Sequence, residues 1–525
     1  MAMIDLQSLE PYHLACLAIA VGMLVWDTVE VGRNDAANLV NAVFGARILT
    51  RRRAIILAGV AVVCGAVLSS DVIDTARKGI FNPTALDHLN TALAIYVSVY
   101  IVDTVLLYSY SAFGMPISTT ACLVFELLGA SFALQASSVN WGKAGTVISG
   151  IVCSIALSGF AAFLIQRAAR GAIRGKTSSL GTLLLHGGWV GGGLAAGLVY
   201  FLLLKGMKHV PCVHSFNAWL SELDDNADVR ISSAVIVLTL WGLFAISIHL
   251  ALVVFRKRAA RLLFPVLAMF GMMAMAFAFG QNDLANCASP GLSAFALISK
   301  QNLEIGTEVR ISSWMLFVCG FLLLVGMSSK NAERVTKAAV STGSMGDHVA
   351  LWAPQWCVRA AEYFLRFRSK APALAPRASI TPAGKTMHYD SLRACVIMSV
   401  SASVIATASS LGLPVSTTYV AFAAVVATGM ADRIFQRGDA ALKLGRAIWV
   451  VFSWFASAAI AAIAAGLVAL TVHRFHILGM VACILANLAV RQILKRRADL
   501  QAQLVKEEAY ERAHPERFAQ EDEGV

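Results

Sequence analysis

Gly32-Arg33-Asn34-Asp35-Ala36-Ala37-Asn38 returns later in the chain as Gly280-Gln281-Asn282-Asp283-Leu284-Ala285-Asn286. A second motif, Gly114-Met115-Pro116-Ile117-Ser118-Thr119-Thr120, returns as Gly412-Leu413-Pro414-Val415-Ser416-Thr417-Thr418. Both copies keep the same order. Asp35 lies 83 residues before Ser118 and Asp283 lies 133 before Ser416, and a polar stretch at 330–390 absorbs the 50-residue excess. Two unrelated motifs repeated in register mark an internal duplication.

Around these motifs the chain is built of apolar runs. A bilayer core takes about 20 apolar residues as helix. Runs of that kind fall near 14–32, 54–70, 91–112, 116–135, 144–166, 181–204, 231–255, 262–280, 313–329, 392–411, 415–430, 447–471 and 477–494. The 525 residues are 58% hydrophobic and only 14% charged, with a mean hydropathy of +0.69. A soluble domain carries about 25% charged residues, so a water-soluble enzyme is excluded. With 12 Pro and 39 Gly, disorder and collagen-like repeats are excluded too. The net charge of +12 would suit nucleic acid only if the basic residues made one face. They sit instead in clusters between apolar runs, so lipid is the expected partner and nucleic acid is not.

Those clusters orient the chain. Alternate loops hold Arg47, Arg51, Arg52 and Arg53; Arg167, Arg170, Arg174 and Lys176; Arg256, Lys257, Arg258 and Arg261; Arg433, Arg437, Lys443 and Arg446; and Lys495, Arg496 and Arg497. The intervening loops hold far fewer, such as Arg77, Lys78, Lys143 and Arg474. Basic loops face the cytoplasm, which puts the N-terminus outside and the C-terminus inside a plasma membrane, the inner membrane of a bacterium. The start of the chain has Asp5 and Glu10 and no basic cluster, so the first span is expected to be retained rather than cleaved.

The first motif ends the first run, outside to inside, and its copy ends the eighth, inside to outside. Seven spans separate them, an odd number, so the halves are inverted. Inverted repeats meeting at a midplane site are a hallmark of secondary transporters. The expected fold is an all-α polytopic membrane protein of about 12–13 transmembrane helices in two inverted-topology repeats, with broken or re-entrant helices at the motifs. Its expected divisions are 14–170 for the first repeat and 171–261 for a linker with two spans. The second repeat occupies 262–329 and 391–494, interrupted by a cytoplasmic loop at 330–390 and followed by a tail at 495–525. Within the loop, Trp352, Trp356, Tyr363, Phe364 and Phe367 interleave with Arg359, Arg366 and Arg368, as in an amphipathic helix on the inner leaflet.

The cysteines form no C-x-x-C pair and mostly lie in apolar runs, so neither a disulfide framework nor a zinc module is expected. His209, Cys212 and His214 are the exception by spacing, three potential ligands in six residues.

The motifs carry chemistry. An Asp at the bilayer centre costs about 2.5–3.5 kcal/mol on insertion scales and is seldom kept without a partner. Asp and Asn three residues apart share a helix face, so Asp35 with Asn38, and Asp283 with Asn286, converge hard oxygens suited to an alkali cation or a proton. A water-facing helix cap is the plainer reading of each copy alone. Pro-x-Ser-Thr-Thr after Gly is a helix start with open N–H groups and a partial positive charge, which favours an anion. Two such starts with Ser118, Thr119, Thr120, Ser416, Thr417 and Thr418 make a cradle for a tetrahedral oxyanion. An ordinary serine cap is again the plainer alternative. If the cradle is symmetric, Thr119 and Thr417 contribute equally. Glu126 and Asp103, also placed inside spans, are candidates for a proton relay.

With both motifs doubled, the sequence resembles the inorganic phosphate transporter (Pit) family of cation-coupled symporters over roughly 20–170 and 262–470. The resemblance implies that Asp35, Asn38, Asp283 and Asn286 serve the coupling cation, Na⁺ or H⁺, with Asn34 and Asn282 in support. It implies that the six hydroxyl residues line the phosphate site, that no other cofactor is needed, and that the protein works as a homodimer. The family usually has small residues where Arg33, Gln281 and Glu126 stand, Gly at Asn41 and Ser289, and His at Ala121 and Tyr419. These departures touch the flanks of the site and leave phosphate and sulfate both open. An anion channel could use the same cradle. A membrane hydrolase would need a nucleophile–base pair, and no intramembrane His accompanies either Ser-Thr-Thr, so no enzyme is expected.

Overall fold

The computed structural model describes residues 9–69, 85–207, 211–226, 233–300, 313–367, 386–436 and 438–513. His209 of the His-Cys-His cluster lies outside them. The described residues form α1 (Pro11–Gly45), α2 (Arg51–Val67), α3 (Leu89–Ala112), α4 (Thr119–Gln135), α5 (Trp141–Ile173) and α6 (Leu180–Leu198). A π-helical turn (Val199–Gly206) follows, then α7 (Pro211–Asn226), α8 (Ser233–Lys300), α9 (Ser313–Met327), α10 (Lys330–Thr342) and α11 (Gln355–Arg366). The last three are α12 (Ser391–Ser410), α13 (Thr417–Ala431) and α14 (Ala440–Ala513). The fold is all-helical, and each of the thirteen apolar runs falls on a helix to within a few residues.

Among the described residues, eight helices are long and apolar enough to cross a membrane, nine if the bent pair α9 and α10 counts as one span. Two of the eight are double. Arg256 (φ 43°) breaks α8 between the runs at 231–255 and 262–280, and His476 (φ 49°) breaks α14 between those at 447–471 and 477–494. A left-handed residue ends the i to i−4 ladder locally and turns the chain.

Three features differ from expectation. The Asn-Asp motifs do not end their helices: α1 runs through Asn34–Asn38 to Gly45, and α8 runs through 282–286 to Lys300. The apolar count stops at Arg33, yet the helix goes on because Asn34, Asp35, Asn38 and Asn41 are buried among other helices rather than facing water. Second, the 330–390 stretch holds a helix beyond the amphipathic one expected at its aromatic and basic run: α10, bent 68° from α9, precedes α11, whose Cys357 and Ala361 pack inward while Trp356, Tyr363 and Phe364 stay exposed. Third, the tail from 495 continues α14 as far as Ala513, and Arg334 on α10 pairs with Asp499 there.

The halves are interleaved. Helix α1 packs on α8 and α9, while α2 packs on the same two. A Cβ at Gly32 would lie 2.1 Å from the Leu323 carbonyl oxygen of α9, and one at Gly280 would lie 2.2 Å from that of Val62 in α2. Gly326 meets Val29 and Gly65 meets Phe277 in the same manner, so the contact of α1 with α9 is repeated by α8 with α2. Small residues of this kind let helix backbones touch. Gly32→Ala and Gly280→Ala should therefore each cost about 1–3 kcal/mol by overpacking. Gly22, with open space around it, is the control. Melting temperatures in detergent that are equal for Gly32→Ala and Gly22→Ala would contradict the close approach.

Candidate functional site

The second motif makes two turns, buried from Gly114 in the first copy and from Pro414 in the second. Helix α3 ends at Ala112, Gly114 takes φ +65°, and Ser118 caps α4 by accepting from the Ala121 N–H at 3.0 Å. The partner turn repeats this: α12 ends at Ser410, Gly412 takes φ +64°, and Ser416 accepts from the Tyr419 N–H at 3.1 Å. Glycine suits the left-handed φ, and serine is a favoured N-cap.

The supporting asparagines hold these turns. Asn34 accepts from the Ile117 N–H at 3.1 Å and donates to Ser111 Oγ at 3.0 Å. Asn282 donates to the Val415 carbonyl at 2.7 Å and accepts from the Val415 N–H at 3.4 Å. Each half's first motif thus braces its own second motif.

The remaining bonds cross between halves, apart from one Asn-to-Asp bond within each first motif. The Thr418 hydroxyl reaches Asp35 Oδ1 at 2.5 Å and the Ile117 carbonyl at 3.1 Å. The Asn38 amide donates to Asp35 Oδ1 at 2.8 Å and Thr418 Oγ1 at 2.9 Å. Opposite, the Thr119 hydroxyl donates to Asp283 Oδ1 at 3.0 Å, and the Asn286 amide donates to Asp283 Oδ1 at 3.0 Å and Thr120 Oγ1 at 2.8 Å. Thr120 also reaches the Val415 carbonyl at 3.0 Å, as Thr418 reaches Ile117.

All twelve residues singled out from the sequence therefore meet in one buried cluster, with roles that differ in detail. Ser118 and Ser416 spend their side chains as caps. Thr119, Thr120 and Thr418 bond to the Asp and Asn side chains rather than standing open as a cradle. Asp35 Oδ2, Asp283 Oδ2, Asn286 Oδ1 and Thr417 Oγ1 have no hydrogen-bond partner. The two carboxylates, one from each half, lie close enough to act on each other. Open, hard oxygens between two helix N-termini can take a small cation on the carboxylates and an anion on the helix starts.

Thr119 and Thr417 are equivalent by the repeat but not in bonding, and this separates two substitutions. Thr418→Val removes the hydroxyl beside Asp35 and should cost about 1–3 kcal/mol of stability. Thr417→Val removes a hydroxyl that lies beside Asp283 without a well-formed hydrogen bond and should cost less than Thr418→Val. Equal destabilisation by the two, measured in detergent, would contradict the bonding pattern.

The sequence reading passed over two acids of α1. Glu30 is buried and accepts from Arg33 at 2.7 Å, from the Trp26 indole at 3.2 Å and from Arg491 of α14. Arg491 also lies over the Tyr108 ring, 4.1 Å from its centroid. The unusual Arg33 thus has a partner one turn away. Asp27, also buried, lies beside Asp103 and Glu126. The signal was present, because two acids inside an apolar run are a functional hint by default. A further buried set ties α5, α12 and α13: Arg170 donates to Asp390 at 2.5 and 2.9 Å and to Asp432 at 2.8 and 2.9 Å.

Comparison with known proteins adds the following. Residues 31–339 and 375–495 match the model of the phosphate transporter family. Proteins described as "Putative phosphate permease" are similar over most of their length. One from Pyrococcus horikoshii is 24% identical, aligned over 88% of this chain and 97% of its own. One from Haemophilus influenzae is 24% identical over 82% and 92%, and one from Chlamydia trachomatis is 26% identical over 84% and 94%. A solved structure titled as the sodium-dependent phosphate transporter superposes with a TM-score of 0.63 at 20% identity, covering 86% of this chain and 98% of that one.

Proposed function

The chain belongs to the phosphate transporter family, and from that premise we propose that it is a symporter that moves inorganic phosphate across the plasma membrane with a coupling cation. The family is one of transporters, not of enzymes. The observation that carries the reading is the crossed bonding of Asp35 to Thr418 and of Asp283 to Thr119, with one oxygen of each carboxylate left open.

The crossed bonds suggest how cation and anion are linked. While Thr418 and Thr119 serve the carboxylates, they are withheld from an anion. A cation on Asp35 or Asp283 offers the carboxylate a better partner and frees the hydroxyl to turn toward phosphate. It also offsets the anion's charge at a site closed to water. Asn38 and Asn286 supply amide oxygens to the same cation, and Asn34 and Asn282 keep the turns in place. Alternating access then follows if the halves rock about these interlocked turns. Na⁺ is the cation we favour, because the oxygens are hard and a similar fold is titled sodium-dependent. The reading includes a homodimer with its N-terminus outside and C-terminus inside, the latter supported by the basic loops.

Uptake of labelled phosphate into proteoliposomes tests it. Accumulation should need an inward Na⁺ gradient and resist excess sulfate. Uptake that saturates with sulfate and ignores phosphate would make the protein a sulfate permease. Flux that follows the anion gradient alone would make it a channel.

A further inference from the structure

Asp27 of α1, Asp103 of α3 and Glu126 of α4 meet away from the motif cluster. All three are buried, at 1%, 3% and 0% exposure. Asp27 and Asp103 lie within hydrogen-bonding range of each other. A carboxylate oxygen of Asp103, one of Glu126 and the Cys122 sulfur all fall within 4.8 Å of one another. Both oxygens of Asp27, both of Glu126 and Oδ1 of Asp103 have no hydrogen-bond donor.

Unlike the motifs, this group is not duplicated. The repeat that carries Asp35 to Asp283 carries Asp27 to Met275, and the one that carries Ser118 to Ser416 carries Asp103 to Ser401 and Glu126 to Ala424. Those three are equally buried, so the second half fills the same places without an acid. Packing alone does not call for carboxyls here.

The surroundings offer no counter-charge. The titratable groups facing the three acids are Glu30 and Asp35 on α1, Tyr100 on α3, Cys287 on α8, and, past Cys122, Tyr110 and Tyr419. No Lys, Arg or His is among them in the described residues. The nearby cations, Arg33 and Arg491, are held by Glu30. Carboxyls enclosed without donors or cations must carry protons or hold a positive ion. A divalent ion needs about six oxygens at fixed distance, every one the three carboxyls have, yet Asp27 is outside the set of Asp103, Cys122 and Glu126 whose ligand atoms lie within 4.8 Å of one another. A proton needs only two acceptors, and the Asp27–Asp103 contact is one such pair.

We propose that Asp27, Asp103 and Glu126 form a proton-binding site, separate from the Asn-Asp motifs, that takes up and releases a proton in each transport cycle. Asp35 lies two turns along α1 from Asp27 and within electrostatic reach of Asp103, so filling one site alters the charge felt at the other. The proposal rests on the phosphate symport reading for the words "transport cycle", but the proton site itself does not.

Two measurements keep those apart. The first is infrared difference spectroscopy of the purified protein through a pH titration. A protonated-carboxyl C=O band should be present, and it should be reduced in Glu126→Gln and lost in Asp27→Asn/Asp103→Asn/Glu126→Gln. Absence of the band from wild type, or its persistence in the triple variant, overturns the proposal. So does a band abolished by Na⁺ or Mn²⁺ at fixed pH, which would make the group a metal-ion site. The second is phosphate uptake into vesicles holding a pH-sensitive dye. Wild type should acidify the lumen as phosphate enters, and Glu126→Gln should lower the acidification per phosphate carried. Unchanged acidification in both Glu126→Gln and Asp103→Asn refutes the cycle. If wild type moves no phosphate, the symport reading fails while the infrared result stands.

Discussion

Asp35→Asn is expected to lower cation-driven phosphate uptake by one to two decades, and Asp283→Asn to do the same. The amide keeps the size of the carboxylate and can still accept from Thr418 or Thr119. What it loses is the charge that a cation meets at the open Oδ2. A hydrogen bond to a charged group is worth about 1.5–3 kcal/mol, and about 1.4 kcal/mol is a decade in affinity. The effect should show as a raised cation requirement, because the helix starts and caps that the proposed function assigns to the anion are untouched. Phosphate uptake by both variants at the wild-type rate and Na⁺ dependence would remove these acids from the coupling. The double variant should be no worse than the weaker single one if the two act on one cation.

The largest loss of stability is expected from Arg170→Met. Arg170 is 1% exposed and bridges Asp390 and Asp432, which are themselves buried. Removing one member of a buried ion set leaves its partners charged and unpaired, at about 3–5 kcal/mol. Burial alone would raise the Asp390 carboxyl, but Arg170 outweighs it and holds the group below its ordinary range. A carboxyl depressed in the folded state contributes stability that is complete above its unfolded value of about 3.9. That contribution fades as pH falls through the lower, folded value. Arg170→Met should therefore melt well below wild type in detergent at neutral pH and gain relative to it on acidification. Adding Asp390→Asn and Asp432→Asn should restore much of the loss, since replacing a whole buried set is often neutral. If the triple variant melts as low as Arg170→Met, uncompensated charge is not the cause.

Much of this was legible in the sequence, for different reasons. The apolar runs marked the helices because lipid and helix length impose a simple count. They misplaced the ends of α1 and of the second half of α8, since a helix buried in protein can carry Asn and Asp where one in lipid cannot. The doubled motifs marked the candidate site because short patterns recur visibly. Their bonding was not visible, since Asp35 meets Thr418 across 383 residues and no spacing records that contact. Equality of Thr119 and Thr417 followed from the repeat alone, whereas the two halves in fact bond differently at those positions. Asp27 and Glu30 went unnoticed because they lie at the end of the first apolar run, just before the polar motif, and read as its margin, whereas Asp103 and Glu126 stand alone inside theirs. Being unrepeated is what sets the Asp27 group apart.

The glycine contacts that interleave the halves bear on how the chain is made. Gly32 is synthesised 291 residues before the Leu323 backbone it touches. At about 5–20 residues per second, the ribosome needs on the order of 15 to 60 seconds to supply that partner. Through this interval the smooth flank of α1 and the carboxylate of Asp35 stand in the bilayer without the neighbours that later cover them. Assembly is thus a wait followed by a closure, in which late-arriving helices slot between early ones. A stalled or truncated chain would leave the membrane holding an acid that nothing comes to meet.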